Sequence, residues 1–279
     1  MPIVTGYEDT PGGHDALVLG AQLSRLTGLA PVVATVYPND VRRVTSSVEL
    51  PRNELRTQAT ARRRFAAARE FIGEGWGDDE PEFADLGPGP VADALSEYSD
   101  EVGAAVLVVG STGHGLLGRL SPGRTVQRLL PMANCPVAIA PRGYRHIPHR
   151  SRAPEPIRVI GVAYDGSAEA DRAAAVAVHL ASRTGAALRF VTVAGADDDL
   201  AEARAVAHKG IAGAPVEIDA FADVLVGQVA ATLADLPERT DALVIGSRGD
   251  RVMRRLLLGG VAGALVRTAR YPVVVVPSG

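Results

Sequence analysis

The chain has 279 residues, 47% of them hydrophobic and 4% aromatic, and its formal net charge is −3 at pH 7. So small a charge and so few aromatic side chains argue against a nucleic-acid binder, which needs basic patches and stacking platforms. The single cysteine, Cys135, excludes an intrachain disulfide and a cysteine-based metal site.

In the first half, strand-like apolar segments alternate with segments of helical periodicity. The predicted strands are 3–7, 30–37, 83–87, 105–110 and 137–140, and the predicted helices are 15–28, 54–73 and 91–104. Segment 8–13 predicts a turn, and Pro131 predicts a kink in the helix that begins near Gly123. Four arginines of the second helix predict a solvated face: Arg62, Arg63, Arg64 and Arg69.

The second half repeats this order. Its predicted helices are 167–185 and 224–236, and its predicted strands are 157–164, 187–193, 216–222, 242–247 and 273–276. Strands separated by helices pair in parallel through right-handed crossovers. Because these strands are nearly continuous runs of Val, Ile and Leu, we expect a sheet covered by helices on both faces.

Length and repetition both predict two domains, since about 150 residues per domain is usual. We place the first domain at 1–142, a linker at 143–155 and the second domain at 156–279. The linker region is rich in proline and arginine, so we expect a solvated tether. No apolar run approaches the roughly 18 residues that span a membrane, and the first residues carry no secretion signal, so we expect a cytoplasmic protein without a membrane partner.

One glycine-rich stretch is written twice, as GSTGHGLLGRLSPG at 110–123 and as GSRGDRVMRRLLLG at 246–259. Both copies follow a buried-type strand. Three glycine pairs share one separation along the chain: Gly110 with Gly246, Gly113 with Gly249, and Gly123 with Gly259. A repeat this regular indicates two copies of one domain, each with a glycine loop at a strand end.

The predicted strand order places a ligand site in each half. For the order 3-2-1-4-5, ligands bind where the order reverses, between strands one and four. An acid follows strand one in both halves, Glu8 or Asp165, and its carboxylate can accept hydrogen bonds from ribose hydroxyls. Glycines let backbone amides approach a phosphate, and the helix after the loop adds its positive end. Each half therefore predicts a mononucleotide site.

The glycine spacing, the turns YEDTP and YDGSA, and the CPV and YPV strands resemble the universal stress protein family. Both halves match over nearly their full length, as in the tandem form of that family. The resemblance implies two repeated doubly wound α/β domains, each a five-stranded parallel sheet with helices on both faces. In ATP-binding members, the first-strand acid and a backbone position on strand two hold adenosine, and the three glycines hold phosphates.

Carried over residue by residue, the resemblance implies a site for ATP or AMP, with or without Mg²⁺, in each half. The implied first-half residues are Glu8, Val36, Gly110, Gly113 and Gly123. The implied second-half residues are Asp165, Val193, Gly246, Gly249 and Gly259.

The chain departs from the family where a Ser or Thr should follow the third glycine. Arg124 and Gly260 stand there instead, with Thr125 one place later. Arg124 either contacts a phosphate or fills the pocket. The first half has the richer loop, whereas the second places Asp250 beside the phosphate position, where a negative charge is unfavourable. We therefore favour the first half slightly as the occupied one.

The resemblance implies a stress-response sensor or regulator that binds adenine nucleotide and is not an enzyme beyond slow ATP hydrolysis. It also implies domains paired through their fifth strands, a regulatory protein partner and further pairing of chains into a homodimer. Two alternatives stay open. One is an interaction module that binds no nucleotide, which the missing hydroxyls favour. The other is an ATP pyrophosphatase, because PGGHDA at 11–16 resembles the S-G-G-x-D-S loop of that class without its flanking serines.

Overall fold

The computed structural model describes residues 1–37, 50–73, 80–111, 123–146, 156–195, 200–236, 240–247 and 260–278. Within these residues the strands are β1 Ile3–Gly6, β2 Pro31–Tyr37, β3 Glu82–Pro88, β4 Val106–Gly110, β5 Val137–Ala140, β6 Val159–Ala163, β7 Ala187–Ala194, β8 Ala220–Val226, β9 Ala242–Gly246 and β10 Val273–Val276. The helices are α1 Pro11–Thr27, α2 Leu50–Ile72, α3 Val91–Glu101, α4 Arg124–Leu129, α5 Ala168–Thr184, α6 Leu200–Ala212, α7 Val229–Ala234 and α8 Gly260–Thr268. Among the described helices, none combines the length and apolar character needed to cross a membrane.

The strands form one sheet in the order β3-β2-β1-β4-β5-β10-β9-β6-β7-β8. Each half reads third, second, first, fourth, fifth, which confirms the predicted order. Neighbours within a half are parallel. The fifth strands β5 and β10 pair antiparallel, with Val274 opposite Ala138. The predicted contact between fifth strands is therefore a main-chain ladder that joins both halves into a single sheet.

The sheet is buried on both faces, as its apolar strands predict. In β4, Val106 and Val108 belong to one buried cluster, and Leu107 and Val109 belong to the cluster on the opposite face. Successive side chains of a strand point to opposite faces, so a strand that is apolar at every position needs cover on both. The confirmed fold class is thus α/β, with helices on each side of a mostly parallel sheet.

Helix α1 begins earlier than expected. The predicted turn at 8–13 is wrong at its end, because α1 starts at Pro11, with the Thr10 hydroxyl accepting a hydrogen bond from the Gly13 N–H at 3.1 Å. Proline suits this first position, since its missing N–H would have no partner inside the helix. Gly28 ends the helix in the left-handed region, at φ 66°.

Two other helix predictions need correction. Helix α4 ends at Leu129, so Pro131 lies beyond the helix and kinks nothing, in keeping with the bias against helix before a proline. Strand β8 runs to Val226, and Gly227, at φ 155°, lies between the end of this strand and the start of α7 at Val229. The predicted helix at 224–236 therefore gives its first residues to the strand, because they pair with β7.

The segment after β5 packs against the first domain instead of forming a free tether. Tyr144 is buried, and its hydroxyl donates to the Gln22 side chain at 2.5 Å. Asp15, which is 1% exposed, accepts hydrogen bonds from the backbone N–H groups of Gly143 and Arg145, each at 2.9 Å. The predicted solvated linker is thus wrong over its first residues, and residues 147–155 lie outside those described. The domain limits stay a prediction.

The one thiol of the chain is expected to be unreactive in the folded protein. Burial, with a smaller contribution from the Asp100 carboxylate, raises the pKa of Cys135 to about 11. The thiolate is the reactive form, so Ellman's reagent at about pH 8 should label the native protein far more slowly than the guanidinium-unfolded chain. Because the unfolded chain releases this proton first, the thiol's contribution to stability should be lost between about pH 9 and 11. Fast stoichiometric labelling of native protein would contradict this.

Candidate functional site

The predicted crevice lies at the carboxyl ends of the strands where the order reverses. In the first half β1 pairs with β2 on one side and with β4 on the other, and in the second half β6 pairs with β7 and β9. Glu8 and Gly110 therefore reach the same edge of the sheet, as do Asp165 and Gly246. A Cβ built on Gly110 would lie 2.2 Å from the carbonyl oxygen of Gly12, so this glycine is required for the first turn of α1 to approach β4.

The segment PGGHDA is not a loop. It forms the start of α1, and a Cβ built on Gly13 would lie 1.8 Å from the Glu8 carbonyl oxygen. Its carboxylate, Asp15, is buried against the backbone of the segment after β5 and bonded to the Arg145 guanidinium at 3.1 Å. Close packing explains the glycines and structural anchoring explains the acid, so the geometry weighs against the pyrophosphatase alternative.

Arg64 occupies the crevice of the first half. Its guanidinium donates to the Val36 carbonyl at 2.8 Å, to the Thr35 hydroxyl at 3.0 Å and to the Glu8 carboxylate at 3.4 Å. The Arg64 side chain is 14% exposed, so the predicted solvated face is wrong for this arginine. The structure therefore brings Glu8 and Val36 together through a side chain of α2 that sequence reasoning missed.

The register of the sheet explains why the Val36 carbonyl can accept a hydrogen bond from Arg64 and is not paired with β1. The Tyr7 N–H donates to the Ala34 carbonyl at 2.8 Å, so Ala34 turns its backbone groups towards β1. Val36 lies two residues further and faces the same way, past the end of β1 at Gly6. The pairing of β2 with β3 also shifts register between Thr35 and Tyr37.

The second half repeats this backbone arrangement without the arginine. The Tyr164 N–H donates to the Val191 carbonyl at 2.9 Å, so the backbone of Val193 faces the crevice past the end of β6 at Ala163. Asp165 is exposed, and one of its carboxylate oxygens accepts a hydrogen bond from the Ser167 N–H at 3.0 Å. The other carboxylate oxygen takes no part in this bond.

Val206 stands in the second half where Arg64 stands in the first. On α2, Arg64 lies between the buried residues Ala61 and Ala68, and on α6, Val206 has the same spacing from Ala203 and Gly210, which are also buried. A Cβ built on Gly166, the residue after Asp165, would lie 3.4 Å from a methyl carbon of Val206. An apolar side chain therefore borders the second crevice.

The residues predicted to bind phosphates lie at the starts of α4 and α8. Gly123 precedes α4, and its N–H donates to the Ser111 carbonyl at 3.1 Å. Arg124 is exposed, so it does not fill the pocket, and Thr125 is half-buried. In the second half α8 begins at Gly260, and none of the described residues outside this helix places an atom within 4 Å of the Gly260 Cβ position. Three predicted phosphate-binding residues lie outside the described residues: Gly113, Gly249 and Gly259.

A tyrosine precedes the acid in each half, and neither was singled out from the sequence. The Tyr164 hydroxyl donates to the Asp171 carboxylate at 2.5 Å, and the Tyr7 hydroxyl lies 3.4 Å from His14 Nε2 and 3.5 Å from an Asp9 carboxylate oxygen. Burial first, and the neighbouring carboxylate second, raise the pKa of both tyrosines above the ordinary value. Both phenols therefore stay protonated donors, and their repetition in YE and YD was a usable signal.

The described residues include no group of three or more His, Cys, Asp and Glu side chains able to hold a metal ion. The His14 ring pairs with Asp9 at 3.1 Å and stacks on Phe71 with ring centroids 4.1 Å apart, so it belongs to a local packing cluster. The site can bind a ligand through backbone groups and one carboxylate.

Known proteins resemble this chain along its whole length. The model of the universal stress protein family matches residues 1–141 and 156–277. A universal stress protein of Mycobacterium tuberculosis (strain H37Rv) is 27% identical over 302 residues, covering 99% of this chain and 100% of its own length. Another from the same strain is 32% identical over 200 residues, covering 65% of this chain and 64% of its own length. Among solved structures, a universal stress protein from Archaeoglobus fulgidus DSM 4304 covers 100% of this chain and 98% of its own at 18% identity, with a TM-score of 0.73, a likeness of fold.

Proposed function

Because the chain belongs to the universal stress protein family, in tandem form, we propose that it binds an adenine nucleotide, ATP or AMP, in the crevice of its second half. It acts as a sensor or regulator in a stress response and turns over its ligand slowly or not at all. The preference for the first half, drawn from the loop sequence, is not carried into this proposal, because Arg64 takes up the groups that adenosine needs there.

The observation that supports the proposal is the pairing of an exposed carboxylate with a backbone position that faces the crevice. The N–H and C=O of Val193 face the crevice, and one residue that offers both a donor and an acceptor matches the ring nitrogen and amino group on one edge of adenine. Asp165, exposed at the end of β6, offers carboxylate oxygens to ribose hydroxyls. The two residues bracket a nucleoside between β6 and β7.

The phosphates then lie towards the start of α8. This helix begins at Gly260, and no described residue outside the helix lies within 4 Å of the Gly260 Cβ position. Its first N–H groups have no partner inside the helix and carry the positive end of its dipole. Binding of the phosphates without the family's hydroxyl rests on these amides.

A second candidate is an interaction module of the same fold that binds no nucleotide. One observation favours it for the first half: the Gly123 N–H, one of the expected phosphate donors, is already bonded to the Ser111 carbonyl. The two candidates differ in one measurable quantity, the amount of nucleotide retained by the purified protein.

Replacing Asp165 with alanine is expected to lower the affinity for ATP about tenfold or more, since a hydrogen bond to a charged group contributes about 1.5–3 kcal/mol. Isothermal titration calorimetry with ATP measures the effect. Asp165→Asn keeps an acceptor for the Ser167 N–H and removes only the charge, which separates ligand recognition from the local turn. Asp219→Ala is the control, an exposed acid at the opposite end of the sheet, next to the start of β8.

Retention of no ATP at millimolar concentration by the unmodified protein would overturn the proposal. Unchanged affinity in both Asp165 variants would show that the nucleotide binds elsewhere.

A further inference from the structure

We propose that Arg64 is a built-in occupant of the first crevice, so that this half is closed to nucleotide and the chain holds one nucleotide instead of two. The inference rests on the proposed function of the second half. Arg64 is then a specificity-determining residue, because it selects which half of the molecule binds the nucleotide.

The contacts of Arg64 coincide with those expected of adenosine. Of its three acceptors, the Val36 carbonyl at 2.8 Å and the Glu8 carboxylate at 3.4 Å are the two groups predicted to hold the nucleoside. The third acceptor is the Thr35 hydroxyl at 3.0 Å. A planar guanidinium with several N–H donors can serve all three at once, which a lysine could not do in the same plane.

The burial of the Arg64 side chain stabilises the closed form of the first crevice. Arg64 is 14% exposed, so its cation has exchanged most of its water for these acceptors. An incoming nucleotide must first release the guanidinium, and its apparent affinity falls by the fraction of molecules in which the crevice is open. If the closed form outnumbers the open form by about a hundred to one, the affinity falls about 100-fold.

The position of Arg64 on α2 directs it into the crevice. Ala61, Phe65, Ala68 and Ile72 form the stripe of α2 that faces the sheet, at helical spacing. Arg64 lies beside this stripe, three residues after Ala61, and so is turned towards the ends of β1 and β2. It is the arginine of the predicted solvated face that the fold carries inward.

The second half has the matching acceptors, and the described residue in the position of Arg64 is not a cation. Thr192, Val193 and Asp165 correspond to Thr35, Val36 and Glu8, and the position of Arg64 is taken by Val206. On α6, the Lys209 ammonium lies 3.3 Å from the Gly166 carbonyl and 3.6 Å from the Asp171 carboxylate, so its described contacts are with neither the Val193 carbonyl nor the Asp165 carboxylate. Among the described residues of the two second helices, the difference at this position is thus Arg64 in the first half against Val206 in the second.

The test is the number of nucleotides bound per chain, measured by equilibrium dialysis with labelled ATP for the full chain and its Arg64→Ala variant. One nucleotide on the unmodified protein and two on the variant are expected. Arg63→Ala, which removes an exposed arginine from the same helix, is the control and should still bind one. Circular dichroism checks that each variant is folded, and Arg64→Met, which keeps most of the apolar stem, replaces the alanine variant if that one unfolds.

Each outcome decides the inference. One nucleotide on both proteins, two on the unmodified protein, or weaker binding to the variant would overturn it, the last because Arg64 would then be a ligand contact. None on the unmodified protein and one on the variant would overturn the second-half site but support closure by Arg64. None on either would overturn both proposals. In the supporting case, adding Asp165→Ala to Arg64→Ala should leave the new site intact, which places it in the first half.

Discussion

Replacing Val206 with arginine should lower the affinity of the otherwise unmodified protein for ATP by about 100-fold or more. The new side chain would stand where Arg64 stands in the first half, within reach of the corresponding acceptors Thr192, Val193 and Asp165. The variant would then have two closed crevices. Equilibrium dialysis with labelled ATP measures the loss.

The matched control is Val206→Leu, which keeps an apolar side chain and should still bind one nucleotide. A stronger comparison is the exchange of both residues, Arg64→Ala together with Val206→Arg. This double variant should again bind one nucleotide, now in the first half. Undiminished binding to the Val206→Arg protein would show that an arginine on this helix does not close a crevice, and closure by Arg64 would lose its support.

Replacing Asp15 with alanine should lower the free energy of unfolding by about 3–5 kcal/mol, because removing one partner of a buried ion pair leaves the other charge uncompensated. The Asp15 carboxylate is 1% exposed and binds the Arg145 guanidinium at 3.1 Å. It also accepts the N–H groups of Gly143 and Arg145, each at 2.9 Å. Guanidinium unfolding followed by circular dichroism measures the change.

Asp93→Ala is the control for the loss of one acidic side chain. Its partner Arg128 is 63% exposed and lies 3.3 Å away, so this pair should contribute less than about 1 kcal/mol. Asp15→Asn keeps an acceptor for the backbone and should fall between the two. A loss below about 1 kcal/mol for Asp15→Ala would mean that the segment after β5 is held to α1 by the buried Tyr144 alone.

The segment after β5 lies next to the junction between the two halves of the chain. The antiparallel ladder between β5 and β10 continues one sheet from the first domain to the second, and the Arg183 guanidinium donates to the Thr27 carbonyl at 2.8 Å across the same junction. The segment after β5 starts directly beside the ladder between β5 and β10. Asp15 and Tyr144 attach its first residues to α1, which stabilises the junction from the first domain's side.

Strand order and strand burial could be predicted from the sequence because they depend on patterns that every copy repeats. The runs at 106–109 and 273–276 are apolar at each position, which suits only strands covered on both faces. The paired glycines Gly110 and Gly246 stand at strand ends for the same reason in both halves, since a side chain there would meet the start of the helix that follows the first strand, at Gly12 of α1 or Glu169 of α5. Where local pattern was weak, as at 200–212, the helix α6 was missed, although its buried Ala203, Ala207 and Gly210 are spaced as on one helix face.

The contents of the crevice depended on contacts between residues far apart in the chain. Arg64 reaches acceptors 28, 29 and 56 positions away, and composition alone placed it with Arg62, Arg63 and Arg69 on a solvated face. A helical pattern tells which residues share a face, and so the apolar stripe beside Arg64 was a signal. Which strand ends that face would meet is set by the rotation and docking of α2 on the sheet. That is a property of packing, and it decides that a side chain of α2 fills the first crevice.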